Sequence, residues 1–213
     1  DKQLEIFFAS PQLNQFGASP NTYIVLRTAL DELLEPYLWN GESYVKVPYQ
    51  KFESQLFGLI KPMPNDPYQI AYFDSLQRNQ LTICTGPAGS GKSQIAMAYA
   101  FQELQRGRIS KIVIFCNPYL AKDSMKLGFL PGDKIEKLLE TSIGSILISK
   151  IGSRMEVERM LQQEQILLMP MGDSRGYEVP KDSFVYFTEA QNTSRYLMKL
   201  FLQRTNDECK IVI

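Results

Sequence analysis

The rhythm of apolar positions along these 213 residues changes near residue 67. From Pro67 onward, helical patterns alternate with short runs rich in β-branched and aromatic residues. A helix is predicted at about 67–77, a strand at 81–85 (Leu-Thr-Ile-Cys-Thr), a helix from Ser93 to a stop at Gly107, and a strand at 111–116 (Lys-Ile-Val-Ile-Phe-Cys). Helices near 134–149 and 153–163, strands at 165–169 and 184–188, a helix at 194–204 and a last strand at 210–213 complete the order. Continuous apolar strands suit a sheet covered on both faces, and their alternation with helices predicts an α/β fold with a mainly parallel sheet flanked by helices. Ligands of such sheets lie at the carboxyl ends of the strands.

Residues 1–66 read differently. Ile6-Phe7-Phe8 is an aromatic segment, and Ser19-Pro20-Asn21 opens a predicted helix whose apolar residues include Ile24, Leu26, Leu30, Leu33 and Leu34. Pro36 should close it. A short strand is expected between Ser43 and Pro48, and the three prolines of residues 61–67 mark a boundary. The expected organisation is a small N-terminal extension, residues 1–66, without recognisable chemistry, followed by a core at 67–213. The first residue is Asp rather than Met, so the chain is expected to begin after its natural start.

The strand at 81–85 and the helix after it enclose Gly86-Pro87-Ala88-Gly89-Ser90-Gly91-Lys92-Ser93, a Walker A sequence. Its glycines let the backbone turn successive N–H groups inward around phosphates. Lys92 would reach the outer phosphates, Ser93 offers a hydroxyl to Mg²⁺, and the helix N-terminus faces the same anion. At average composition such a string arises by chance in about one chain in a hundred of this length. The competing reading is a fortuitous Gly-rich turn, which the flanking buried strand and unbroken helix weaken.

Composition narrows the chemistry. A hydrophobic fraction of 44% supports one sizeable core, with or without a small appendage. With 23 basic and 23 acidic residues there is no chain-wide field for nucleic acid, although residues 106–159 hold ten Lys or Arg against six Asp or Glu. That excess is read as a solvated face or a local nucleic-acid track. The absence of histidine removes His-based triads and Cys/His zinc sites. Cys84, Cys116 and Cys209 form no Cys-x-x-Cys pair and are expected to be reduced thiols, two of them buried in strands. Without a signal peptide or a bilayer-spanning apolar stretch, the protein is expected to be cytoplasmic and without a membrane partner.

A nucleotide hydrolase also needs an acid at the end of an apolar strand. Phe184-Val185-Tyr186-Phe187 followed by Thr188-Glu189-Ala190-Gln191-Asn192 has that form; read alone, Glu189 could equally favour a helix dipole. Together with Gly86–Ser93 this segment resembles the paired motifs of the PhoH-like family of RecA-type P-loop ATPases. Leu127-Gly128-Phe129-Leu130-Pro131-Gly132-Asp133 is similar to that family's distinctive stretch, and Gln69-Ile70-Ala71-Tyr72 to its Gln-x-x-Tyr segment. The resemblance covers about residues 67–213. It implies a RecA-like core in which Gln69 and Tyr72 contact adenine, Lys92 and Glu189 are catalytic, Gln191 or Asn192 senses the outer phosphate, and ATP and Mg²⁺ are the ligands.

The departures bear on mechanism. Thr188 stands where the family has its metal-holding aspartate, leaving contact with Mg²⁺ only through water. Asn117-Pro118 replaces Arg-Pro, and Tyr177 follows Arg175-Gly176 where a second arginine belongs. Ile213 falls inside an apolar run, so the C-terminal part of the core is expected to lie beyond it. The resemblance implies ATP hydrolysis coupled to RNA or another single-stranded nucleic acid in a helicase-like manner. It also implies a homo-oligomer, with a hexameric ring as one form and Arg154, Arg159, Arg175 and Arg195 as candidates to complete a neighbour's site. Thr188 motivates the alternative, a nucleotide-binding assembly or regulatory module without turnover. A small-molecule kinase is disfavoured because no acceptor-binding signature is visible, and a GTPase because no Asn-Lys-x-Asp motif occurs.

Overall fold

A computed structural model describes residues 2–30, 32–116, 139, 142–170, 177–203 and 205–213. Contacts divide the chain into two compact units, residues 1–51 with 61–78 and residues 52–60 with 79–213.

In the first unit, helix α1 (Lys2–Ala9) accompanies an antiparallel sheet of β1 (Thr22–Arg27), β2 (Leu33–Trp39) and β3 (Tyr44–Lys46). The helix expected from Ser19 to Pro36 is therefore a pair of strands. Tyr23, Ile24 and Val25 favour extended backbone, and Thr28 closes the connection by accepting from Glu32 N at 3.1 Å. Pro36 sits within β2 opposite Val25, beside the irregularity between Val25 and Arg27, where a proline's missing N–H is tolerated. Phe7, Leu26, Trp39 and Tyr44 form the local core. Helix α2 (Pro67–Arg78) is capped by Asp66, whose Oδ1 accepts from Tyr68 N at 3.1 Å and Gln69 N at 3.0 Å. Its Asp74 is buried and accepts from Tyr23 Oη at 2.7 Å, Gln50 Nε2 at 3.1 Å and Arg78 Nε at 3.0 Å.

The second unit is built on a parallel sheet of β6 (Leu81–Thr82), β7 (Lys111–Cys116), β8 (Ile166–Pro170), β9 (Ser183–Phe187) and β10 (Lys210–Val212), in the order β6-β10-β9-β7-β8. The predicted α/β architecture with a parallel sheet is what the chain forms. β9 is buried along its whole length, as its apolar run requires. At the edge of the sheet β6 is less covered than its sequence suggests. Leu81 and Ile83 are 44% and 66% exposed, and the regular strand ends at Thr82 although Cys84 N still donates to Ile213 O at 2.7 Å. Cys84 is thus half-buried, not sealed in a strand, whereas Cys209 is buried and donates its thiol to Pro180 O at 3.2 Å.

Helix α3 (Lys92–Gln105) is buried from Ile95 to Glu103. The hairpin of β4 (Phe52–Ser54) and β5 (Gly58–Ile60) lies against it: the Phe57 ring stacks on Phe101 at 5.0 Å and Phe52 meets Tyr99 at 5.2 Å. Gln102 Oε1 also accepts from Glu53 N at 3.1 Å. Three further helices are α4 (Ser142–Ile151), α5 (Arg154–Gln162) and α6 (Arg195–Leu202), the last two capped by Ser153 and Ser194. Among the described residues no helix is long and apolar enough to cross a membrane.

Candidate functional site

Because the sheet is parallel, the segments leaving β6 and β9 emerge at the same end of it, with β10 between them. Gly86–Ser93 follows β6. Gly89 and Gly91 have φ of 79° and 85°, the left-handed region that favours glycine. Gly91 caps α3 without a side chain, and its carbonyl takes the first helical bond from Ile95 N at 2.9 Å. The first-turn amides of α3 therefore open toward the loop, a ready site for an anion. At Gly86 an added Cβ would come within 3.4 Å of Ser90 Oγ, so the loop is drawn in closely there. Lys92 curls over it, donating to Gly86 O at 2.7 Å, Pro87 O at 2.8 Å and Ser90 Oγ at 3.3 Å. Beneath, burial pushes the Cys84 thiol up, and the Lys92 ammonium pulls it the other way.

Ser93 Oγ lies 2.7 Å from the phenol oxygen of Tyr186 on β9. Tyr186 is 5% exposed, and burial pushes its phenol above the ordinary range, keeping it protonated and neutral. Two residues on, buried Thr188 donates its N–H to Phe115 O at 3.0 Å. Glu189 is exposed and left-handed, φ 56° and ψ 40°, and its Oε2 accepts from Gln191 Nε2 at 2.5 Å. A turn of 3₁₀ helix, Ala190–Asn192, follows. Glutamate in this backbone region costs about 1–3 kcal/mol, and strain of that kind collects at functional sites. The arrangement is a glycine cradle with a lysine over it, a set of neutral hydroxyls, and a carboxylate held at the strand end.

The family model described as PhoH-like protein matches residues 60–213. The chain belongs to the PhoH-like family. It is 35% identical over 147 residues to a PhoH-like protein of Bacillus subtilis (strain 168), covering 68% of this chain and 45% of that protein. Protein PhoH of Escherichia coli (strain K12) is 30% identical over 149 residues, covering 68% and 41%. A PhoH-like protein of Mycobacterium tuberculosis (strain ATCC 25618 / H37Rv) is 31% identical over 156 residues, covering 70% and 42%. The chain thus spans under half the length of these relatives.

For this PhoH-like chain, the structure gathers Gly86–Ser93, Thr188, Glu189, Gln191 and Asn192 at one end of the sheet. Gln69 and Tyr72 belong to the first unit, on α2, where both are buried and Gln69 Oε1 accepts from Met63 N at 2.8 Å. Arg154 and Arg159 pair with acids of their own helix, Glu158 at 2.8 Å and Glu156 at 2.5 Å, while Arg195 is exposed at the start of α6. Asn117-Pro118, Leu127–Asp133 and Arg175-Gly176 lie outside the described residues.

Sequence reasoning took Tyr186 only as part of an apolar strand. Its signal was the two-residue period of a strand, which puts it on the same face as Thr188. Hard oxygen donors suit Mg²⁺, which takes few protein ligands and keeps several waters, so the hydroxyls of Ser93 and Thr188 fit that ion. Among the described residues no three acidic or thiol groups gather into a cluster that would hold a metal without a nucleotide.

Proposed function

We propose that Gly86–Ser93 is a Walker A loop binding ATP with Mg²⁺ and that the chain hydrolyses ATP. The observation that carries this reading is the left-handed loop, opening onto the α3 N-terminus with Lys92 over it, at the sheet end that also bears Glu189. In binding phosphate Lys92 exchanges its loop carbonyls for phosphate oxygens and, with the loop amides, stabilises charge developing on the transferred group. Ser93 would hold Mg²⁺, with Thr188 reaching it through water; bound there, the ion would neutralise phosphate charge. Glu189 orients the attacking water and takes its proton as the bond to the terminal phosphorus forms and the bond from that phosphorus to the bridging oxygen breaks. Gln191, whose Nε2 donates to Glu189 Oε2, or Asn192 would report the outer phosphate to the 3₁₀ turn.

The PhoH-like kinship supports coupling of this cycle to RNA or another single-stranded nucleic acid, in a cytoplasmic homo-oligomer whose neighbours complete the site, with Gln69 and Tyr72 reading adenine. Arg195 is the described arginine best placed to act on a neighbour, since Arg154 and Arg159 are paired within α5. We propose residues 1–66 as an extension to a core of residues 67–213.

A second reading rests on Thr188: a module that binds nucleotide as an assembly switch and does not turn it over. Mg²⁺-dependent phosphate release from ATP, measured with and without single-stranded RNA and with Lys92→Ala as control, separates the two. RNA-stimulated release lost in Lys92→Ala is the expected result. ATP binding without release selects the switch, and no ATP binding by the intact chain rejects both.

A further inference from the structure

A serine hydroxyl has one proton and two lone pairs. To offer a lone pair to a metal, Ser93 must send its proton elsewhere, and a carboxylate opposite it would ordinarily receive that proton. Here the position that should supply the carboxylate is Thr188, and Ser93 Oγ is hydrogen-bonded with the Tyr186 phenol at 2.7 Å. The phenol is nearly sealed from water, 5% exposed, on the most buried strand of the sheet. Its ring is therefore fixed, and Thr188, two residues on in the same strand direction, is buried on the same face. Ser93 and Tyr186 make a pair of neutral hydroxyls joining the loop to the sheet.

On the reading that the loop binds ATP with Mg²⁺, we propose that Tyr186 is a positioning residue that accepts a hydrogen bond from the Ser93 hydroxyl and so turns the Ser93 lone pairs toward the metal. It does by hydrogen bonding what the absent acid would do by hydrogen bonding and charge together. Removing the acid then costs the site a formal charge but not the orientation of Ser93.

Calorimetric titration of the intact chain with ATP, in Mg²⁺ and in EDTA, tests this on wild type, Tyr186→Phe, Ser93→Ala and the double variant. Partners that orient a metal ligand are typically worth about tenfold or more in metal affinity. Tyr186→Phe is expected to lose about tenfold of the affinity that Mg²⁺ adds, with ATP binding in EDTA unchanged. In the Ser93→Ala background Tyr186→Phe should add no further loss, because it acts through Ser93. Three results overturn the proposal while leaving nucleotide binding standing: an unchanged Mg²⁺ increment in Tyr186→Phe, equal losses in Mg²⁺ and EDTA, or additive losses in the double variant. Wild-type chain that binds no ATP in either buffer overturns the nucleotide reading and this one with it.

Discussion

The strand end at β6 keeps the family's pattern and the one at β9 departs from it. After β6, each residue of the proposed phosphate cradle from Gly86 to Ser93 is present, with Gly89 and Gly91 in left-handed conformations. After β9, Glu189 is kept, but Thr188 stands in the aspartate's place and the Tyr186 phenol pairs with the Ser93 hydroxyl. The cradle is made of backbone amides and one cation, so it needs no counter-charge from the sheet. The metal end proposed at β9 would be made of side chains, and there a carboxylate could give way to neutral hydroxyls with the charge lost. On the proposed reading, phosphate binding and metal positioning are separable duties.

The largest test of that separation is Glu189→Gln. It should lower the rate of phosphate release by about 10²–10⁴-fold while ATP affinity stays as in wild type, since only the base at the β9 end is lost. Release at the wild-type rate would remove Glu189 from that role. Thr188→Asp should restore charge to the metal end, lowering the Mg²⁺ concentration for half-maximal ATP binding by about tenfold. The same variant should melt lower in EDTA, because Thr188 is buried and an unpaired carboxylate there is costly. If instead its ATP affinity changes in EDTA, the two ends are not separable.

Glu189→Gly addresses the strain. Relief of the left-handed glutamate, φ 56°, should raise stability by up to about 1 kcal/mol while turnover is lost, read by denaturant unfolding beside phosphate release. The smallest effect is expected from β10, the strand between the two ends. Lys210 donates to Asn79 O beside the Tyr99 ring, and burial lowers its pKa to about 8 from 10.5. Between pH 8 and 10.5 the unfolded chain binds the proton more readily, so the lysine's contribution to stability rises with pH across that window and is least favourable below it. Lys210→Met should flatten the wild-type rise in melting temperature there and leave ATP affinity unchanged. Altered affinity would show that β10 couples the ends.

Much of the second unit could be read in advance because its signals are local and agree. Lys111–Cys116 is an apolar strand, and α3 runs without a breaker from Lys92 to Gln105 before Gly107. The first unit misled for an equally physical reason. Ile24, Leu26, Leu30, Leu33 and Leu34 fit a helical stripe or two short strands, and Pro36 looked like a stop. Pairing of Val25 with Pro36 beside an irregular register decided for strands, a contact no local window contains. β6 misled in the other direction, its apolar run suggesting burial at what is the open edge of the sheet.

By itself the sequence determined the glycine loop, the helix behind it, the acid after β9 and the parallel α/β class, since backbone freedom at glycine, hydrophobic period and side-chain chemistry belong to single residues and their near neighbours. Only the tertiary structure decided that β10 stands between β6 and β9, that Glu189 takes a left-handed backbone, and that Ser93 meets Tyr186 across 93 residues of chain. Those depend on strand order and register, which arise from packing distant segments together and leave no mark on either segment alone.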